Sequence, residues 1–187
     1  MNVTHFTQAR ALASNPSGVL KRLPDGAPIL IRSIRADDKR MLETGLRQLS
    51  DESVQRRFLT PKRSFSRAEL RYLTEVNGRD HVALVVESPT DPARRLIAVG
   101  RFVRLQDDPA AAEVAIVVAD EWQRRGIGSQ LAELLAAKAR FFGIRRFTAT
   151  MASDNVPAHR LMEKLTSHLD EHHAGAGVSE LVLELAA

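Results

Sequence analysis

The chain has no cysteine, a single tryptophan and a single tyrosine. It also has no apolar run near the roughly 20 residues that a membrane-spanning helix needs. Without cysteine there are no disulfides, no thiolate metal ligands and no cysteine nucleophile. The opening residues, from Met1 to Arg10, carry no apolar stretch of the signal-peptide kind. A cytoplasmic location without membrane contact is therefore the expectation. Lysine is scarce too, at five residues against twenty-two arginines. The arginines are interspersed with acidic residues and aromatics make up only 5%, which argues against a nucleic-acid partner. No Gly-Lys-Ser/Thr triplet and no serine nucleophile elbow occur, which sets aside nucleoside-triphosphate loops and serine hydrolases.

What is present is an ordinary globular composition. The 187 residues are 44% hydrophobic and 27% charged, with a formal net charge of +4, enough for one domain with a real core. Residues 1–28, with Pro16, Gly18, Pro24, Gly26 and Pro28, read as a lead-in segment and residues 29–187 as the domain. A strand is expected over 29–34. Asp37 then caps a helix whose Met41, Leu42, Leu46 and Leu49 share a face. A short helix over 51–59 follows, and the capping box Ser66-Arg67-Ala68-Glu69 opens another. Strands are expected over 81–87, 96–105 and 113–118. A long helix is expected over 126–142, stopped by Gly143. A strand over 146–152 is followed by a helix capped by Asp154 or Asn155, with Pro157 in its first turn. A last strand covers 178–185. This order gives a mixed α/β (α+β) fold around one central sheet.

The chemistry concentrates just after the strand that ends at Val118. There the chain reads Gln123-Arg124-Arg125-Gly126-Ile127-Gly128 and enters a helix. Glycines let the backbone turn tightly and approach a ligand. The unpaired N–H groups and positive dipole end of a helix's first turn attract phosphate. Leu131 stands where a dinucleotide fingerprint wants its third glycine, so a pyrophosphate cradle of another kind is indicated. Arginine's planar fork suits the same phosphates.

This segment resembles the signature of the GNAT family of acetyltransferases, Arg/Gln-x-x-Gly-x-Gly/Ala between a strand and the next helix. The preceding Val118-Ala119-Asp120-Glu121-Trp122 keeps the family's spacing, and Asn155 matches its later asparagine. Within the family the chain is most similar to the bacterial protein-lysine acetyltransferase branch. The matching pieces are Ile31-Arg32-Ser33-Ile34-Arg35-Ala36-Asp37-Asp38, Leu49-Ser50-Asp51-Glu52-Ser53, Arg57-Phe58, Leu73-Thr74-Glu75-Val76-Asn77 and Glu113-Val114-Ala115. The resemblance implies a GNAT fold, a mostly antiparallel mixed sheet with helices on both faces, and acetyl-CoA as co-substrate with no metal. It implies that the backbone of Ile116, Val117 and Val118 pairs with the pantetheine arm, an N–H near Val118 polarising the thioester carbonyl. It also implies that Gln123, Arg124, Arg125, Gly126, Ile127, Gly128 and Ser129, with Asn155, hold the rest of the cofactor.

From position alone, Glu113 reads as a solvent-facing strand residue. The matching Glu113-Val114-Ala115 pattern makes it the candidate general base. A lysine amine with a pKa of about 10.4 is mostly ammonium near pH 7, and neutralising it costs roughly 4–5 kcal/mol. A nearby carboxylate can take that proton directly or through one water. Met162 stands where many members carry a tyrosine acid, but a thiol leaving group of pKa about 8.5 needs little help. The acceptor is expected to be a protein lysine, with a small amine or a non-catalytic acyl-CoA-binding module as alternatives. The oligomeric state is open, a homodimer included. His168, His172 and His173 are read as a solvated helix end, Trp122 as packing under the phosphate loop, and Asp107 and Asp108 as turn residues.

Overall fold

A computed structural model describes residues 18–93, 95–166 and 168–185. Eight strands form one sheet: β1 (Val19–Arg22), β2 (Pro28–Ser33), β3 (His81–Glu87), β4 (Leu96–Arg104), β5 (Ala111–Val118), β6 (Arg146–Ala152), β7 (Leu169–Gly175) and β8 (Val178–Glu184). Their spatial order is β1-β2-β3-β4-β5-β6-β8-β7. Every neighbouring pair is antiparallel except β5 and β6. Among the described residues five helices accompany them: α1 (Lys39–Gln48), α2 (Asp51–Phe58), α3 (Arg67–Thr74), α4 (Ile127–Phe141) and α5 (Val156–Glu163). This is the mixed, mostly antiparallel sheet with helices on both faces that the resemblance implies.

The central strands are apolar on both faces because both faces are covered. Val82, Leu84 and Val86 of β3 join the main core, while Ala83 and Val85 join a second cluster with Ile34, Leu42 and Leu70. The main core lies against α4, whose Leu131, Leu134 and Leu135 are fully buried. Gly100 on β4 sets how closely α4 approaches: a Cβ there would sit 3.0 Å from Leu135 Cδ1. As the crossover between the parallel pair, α4 carries the chain from β5 to β6. It ends with Phe142 as its C-cap and Gly143 at φ +80°, the left-handed stop that glycine favours.

Three local expectations are corrected. Val19–Arg22, inside the stretch read as lead-in, pairs with β2 as β1; residues 1–17 lie outside the described residues. The segment holding His172 and His173 is an edge strand, β7, because it hydrogen-bonds along β8 while the residues after Leu169 stay exposed. Asp38, not Asp37, organises the start of α1. Its carboxylate accepts the Arg35 N–H at 2.7 Å and is forked by Arg32, which also binds Glu87. All three charged side chains are buried, so the ionic partner, not local capping, selects the residue.

Candidate functional site

The one parallel junction in the sheet is also where it divides. β5 and β6 pair only at Ala111–Arg146, Ala112–Phe147 and Glu113–Thr148. Beyond these positions both strands continue, β5 to Val118 and β6 to Ala152, without a ladder between them. β6 stays paired with β8 along its full length, so the split leaves the β6-facing edge of β5 open. Into this split opens a cleft of about 770 Å³, well within the range of cofactor sites.

The cleft gathers most of the residues singled out by sequence. Ile116, Val117 and Val118 line it from β5, Gln123, Arg124, Gly126, Ile127, Gly128 and Ser129 from the loop and the start of α4, and Asn155 from the start of α5. Gly126 is the N-cap of α4 with φ +84°, and Arg124 also holds a left-handed φ of +59°. Left-handed residues in such a loop are a feature of backbone nests, whose successive N–H groups bind anions. Nothing lies within 4 Å of a Cβ built on Gly126, and one on Gly128 would make only ordinary contacts. The backbone there is open to a ligand, as a diphosphate cradle requires.

Side chains beside the loop have structural tasks. Arg125 turns away from the cleft to pair with Asp25, Nη2 to Oδ2 2.6 Å, and stacks 4.2 Å from the Trp122 ring centroid. Trp122 is half-buried against the main core. Gln123 Nε2 donates to Val118 O at 3.2 Å and to Ser53 Oγ at 3.1 Å. Asp120 accepts from Ser50 N, Ser50 Oγ and Ser53 Oγ at 2.9, 2.9 and 2.6 Å. Burial would raise its pKa, but these donors outweigh it and hold the carboxylate below its ordinary range. Asn155 Oδ1 caps α5 through Ala158 N–H at 3.3 Å.

Sequence reasoning missed the walls supplied by α2 and α5. Arg56 and Arg57 from α2, with Arg160 and Lys164 from α5 and its end, make the cleft cationic around the single acid Glu52. Arg56 holds Glu52 at 2.6 Å. Such a field suits a ligand carrying several phosphates. The available signal was the Arg57-Phe58 pair, whose position over the split depends on tertiary packing.

Glu113 is exposed and is not among the residues lining this cleft. It occupies the last paired position, between Val103 of β4 and Thr148 of β6, at the apex of the split. Its charge reaches the Arg57 guanidinium, whose pKa is pulled down by burial and partly restored by Glu113. Met162 is packed in the main core, 4% exposed. Asp108 serves a turn, accepting Ala110 N–H at 3.1 Å and pairing with Arg146.

Comparison with known proteins agrees with this fold. Residues 46–166 match the sequence model of the acetyltransferase (GNAT) family. Acetyltransferase Pat of Mycolicibacterium smegmatis is 36% identical over 136 residues, 72% of this chain and 40% of that protein. The chain thus spans about two fifths of the length of that relative. The crystal structure of the GNAT domain of S. lividans PAT superposes with a TM-score of 0.77 at 31% identity, covering 89% of this chain and 96% of that chain. The fold alone is shared with yncA from Salmonella typhimurium, solved with its cofactor acetyl-CoA, at TM-score 0.61 and 15% identity, over 84% of this chain and 92% of that one.

Proposed function

The chain belongs to the acetyltransferase (GNAT) family, and from that premise we propose that it moves acetyl from acetyl-CoA to a protein lysine, with Glu113 as general base. The observation that carries this reading is the split between β5 and β6, which opens onto the glycine-turned N-terminus of α4. Acetyl-CoA supplies an activated thioester. The main-chain N–H groups of residues 125–129 hold the diphosphate at the helix end. The open edge of β5 at Ile116, Val117 and Val118 receives the pantetheine arm as an added strand. An N–H near Val118 polarises the thioester carbonyl, a fixed donor that needs no reorganisation as charge develops.

The acceptor's lone pair forms the new C–N bond as the C–S bond breaks. An ammonium acceptor gives up two protons: one ends on the departing thiol and the other reaches solvent. Glu113 relays that proton. It stands four residues before Val117 on an extended strand, roughly 13 Å along the backbone, so a water completes the path. The lysine acceptor rests on the residues that resemble the protein-lysine branch, and a cytoplasmic setting is part of the same proposal. Thiol release from acetyl-CoA in the presence of lysine-containing peptides tests it. Glu113→Gln is expected to lower kcat by about 10²–10⁴-fold while acetyl-CoA still raises the Tm. Equal turnover by the variant would remove Glu113 from the base role.

A further inference from the structure

A second cavity, of about 70 Å³, lies between the sheet and helices α1 to α3. Its walls are apolar, among them Met41, Leu46, Phe65 and Val99, with Arg57 and Arg101 as the charged exceptions. Arg101 is 6% exposed. Its guanidinium contacts only neutral groups, the Leu73 carbonyl at 3.4 Å and His81 Nε2 at 3.3 Å. Arg57 lies 5.0 Å from the centroid of the Phe58 ring. Among the described residues no carboxylate forms an ion pair with either guanidinium, and Glu113 is the one acid whose charge reaches Arg57. Burial, then the like charge of Arg57, pulls Arg101 down to about 10. Two neighbouring cations at an apolar cavity, with no ion pair to either among the described residues and only the charge of Glu113 reaching Arg57, are costly to the apoprotein, and a cavity with such charged groups is a candidate ligand subsite.

The cavity adjoins the cleft. Val117 and Arg57 line both, at the place proposed for the thioester. On the sheet Val99 pairs with Val117 and Arg101 with Ala115. Arg101 therefore stands diagonally across from Val117, a spacing of roughly 7–8 Å between strand positions. The volume holds on the order of five water-sized groups, which limits the occupant to a short chain.

We propose that this cavity receives the distal end of the acyl group and that the preferred donor carries a carboxylate there, a three- or four-carbon dicarboxylic acyl thioester held by Arg101 and Arg57. The inference rests on the thioester lying in the split. The bond changes are those of acetyl transfer, C–S broken and C–N formed, and the distal carboxylate is unaltered. Acetyl is then a donor too short to use this subsite. The cationic walls repel an ammonium group, which assigns the cavity to the acyl group and not to the amine.

The test compares succinyl-CoA with butyryl-CoA, a chain of equal length without the charge, by thiol release at one fixed amine. The expected result is a kcat/KM about 10- to 100-fold higher for succinyl-CoA, the range of a charged hydrogen-bonded contact. That preference falls to near unity in Arg101→Met and returns in part in Arg101→Lys. Thermal stabilisation of the wild-type protein follows the same order, with a larger shift for succinyl-CoA at equal concentration, and needs no variant to fold. An equal or higher kcat/KM for butyryl-CoA, or a preference that survives Arg101→Met, overturns the proposal. A carboxylate preference seen only when 5-aminopentanoate replaces butylamine as acceptor overturns the assignment to the acyl group. Acetyl-CoA turnover serves as the separate control: if it is present while the preference is absent, only this inference fails.

Discussion

Asp120 joins two walls of the cleft between β5 and β6, and replacing it with alanine measures what that link is worth. Its carboxylate accepts three bonds of 2.6–2.9 Å from Ser50 and Ser53, residues at the start of α2. Its own loop runs into Gln123 and the glycine turn proposed to hold the diphosphate. Bonds to a charged acceptor contribute up to about 1.5–3 kcal/mol each when sealed from water. Asp120 is exposed and the freed donors can turn to solvent, so a net loss of about 1–2 kcal/mol is expected for Asp120→Ala. For a protein of this size that lowers the Tm by about 2–8 °C. Acetyl-CoA must then re-order the two walls on binding, which bounds the rise in its KM at about 5- to 30-fold. The folded-state pKa of Asp120 is depressed. Its contribution is therefore complete above the unfolded value of about 3.9 and disappears as pH falls through the folded value. Differential scanning fluorimetry of both proteins from pH 7 to pH 3 reads the difference directly. A Tm gap that persists unchanged at pH 3, or a variant with unaltered Tm and KM, would refute the reasoning.

Gly126→Ala forces an L side chain into a φ of +84°; a loss of about 1–2 kcal/mol and weaker coenzyme A binding by isothermal titration are expected, while Gly128→Ala, where a Cβ would meet only ordinary contacts, folds with little change. His81 is held neutral down to about 4 by burial and then by Arg101, so the unfolded chain binds more protons between about pH 6.5 and pH 4 and stability falls as pH drops through that window. In His81→Gln the slope of Tm against pH over the same window should be smaller, and an identical slope would exclude His81 as its source.

The elements most legible in sequence were those whose burial follows a local period. Residues 81–87 announced β3 through uninterrupted β-branched and aliphatic residues, because the strand is covered on both faces. The turn into α4 was legible for a similar reason: the left-handed N-cap at Gly126 is a property of the local backbone. Edge strands were not. β1 and β7 are defined by hydrogen bonds to a neighbour, and the side chains of Leu20, His172 and His173 stay exposed. Long-range choices escaped too. Asp38 displaced Asp37 because Arg32 of β2, itself held by Glu87 of β3, reaches it across the fold. The latch from Asp120 to Ser50 and Ser53 spans about 70 residues of chain, and Arg101 reads as one more strand residue until the cavity around it is assembled.

The central claim is that coenzyme A lies along the open edge of β5 with its diphosphate on the first turn of α4. Amide ¹H–¹⁵N shifts of the 187-residue protein, followed during titration with acetyl-CoA, test it residue by residue. The largest changes are expected at Val117, Val118, Gly126, Gly128 and Ser129, with β1 and β7 unaffected. Saturable changes centred elsewhere, with the Gly126 and Gly128 amides unmoved, would contradict it.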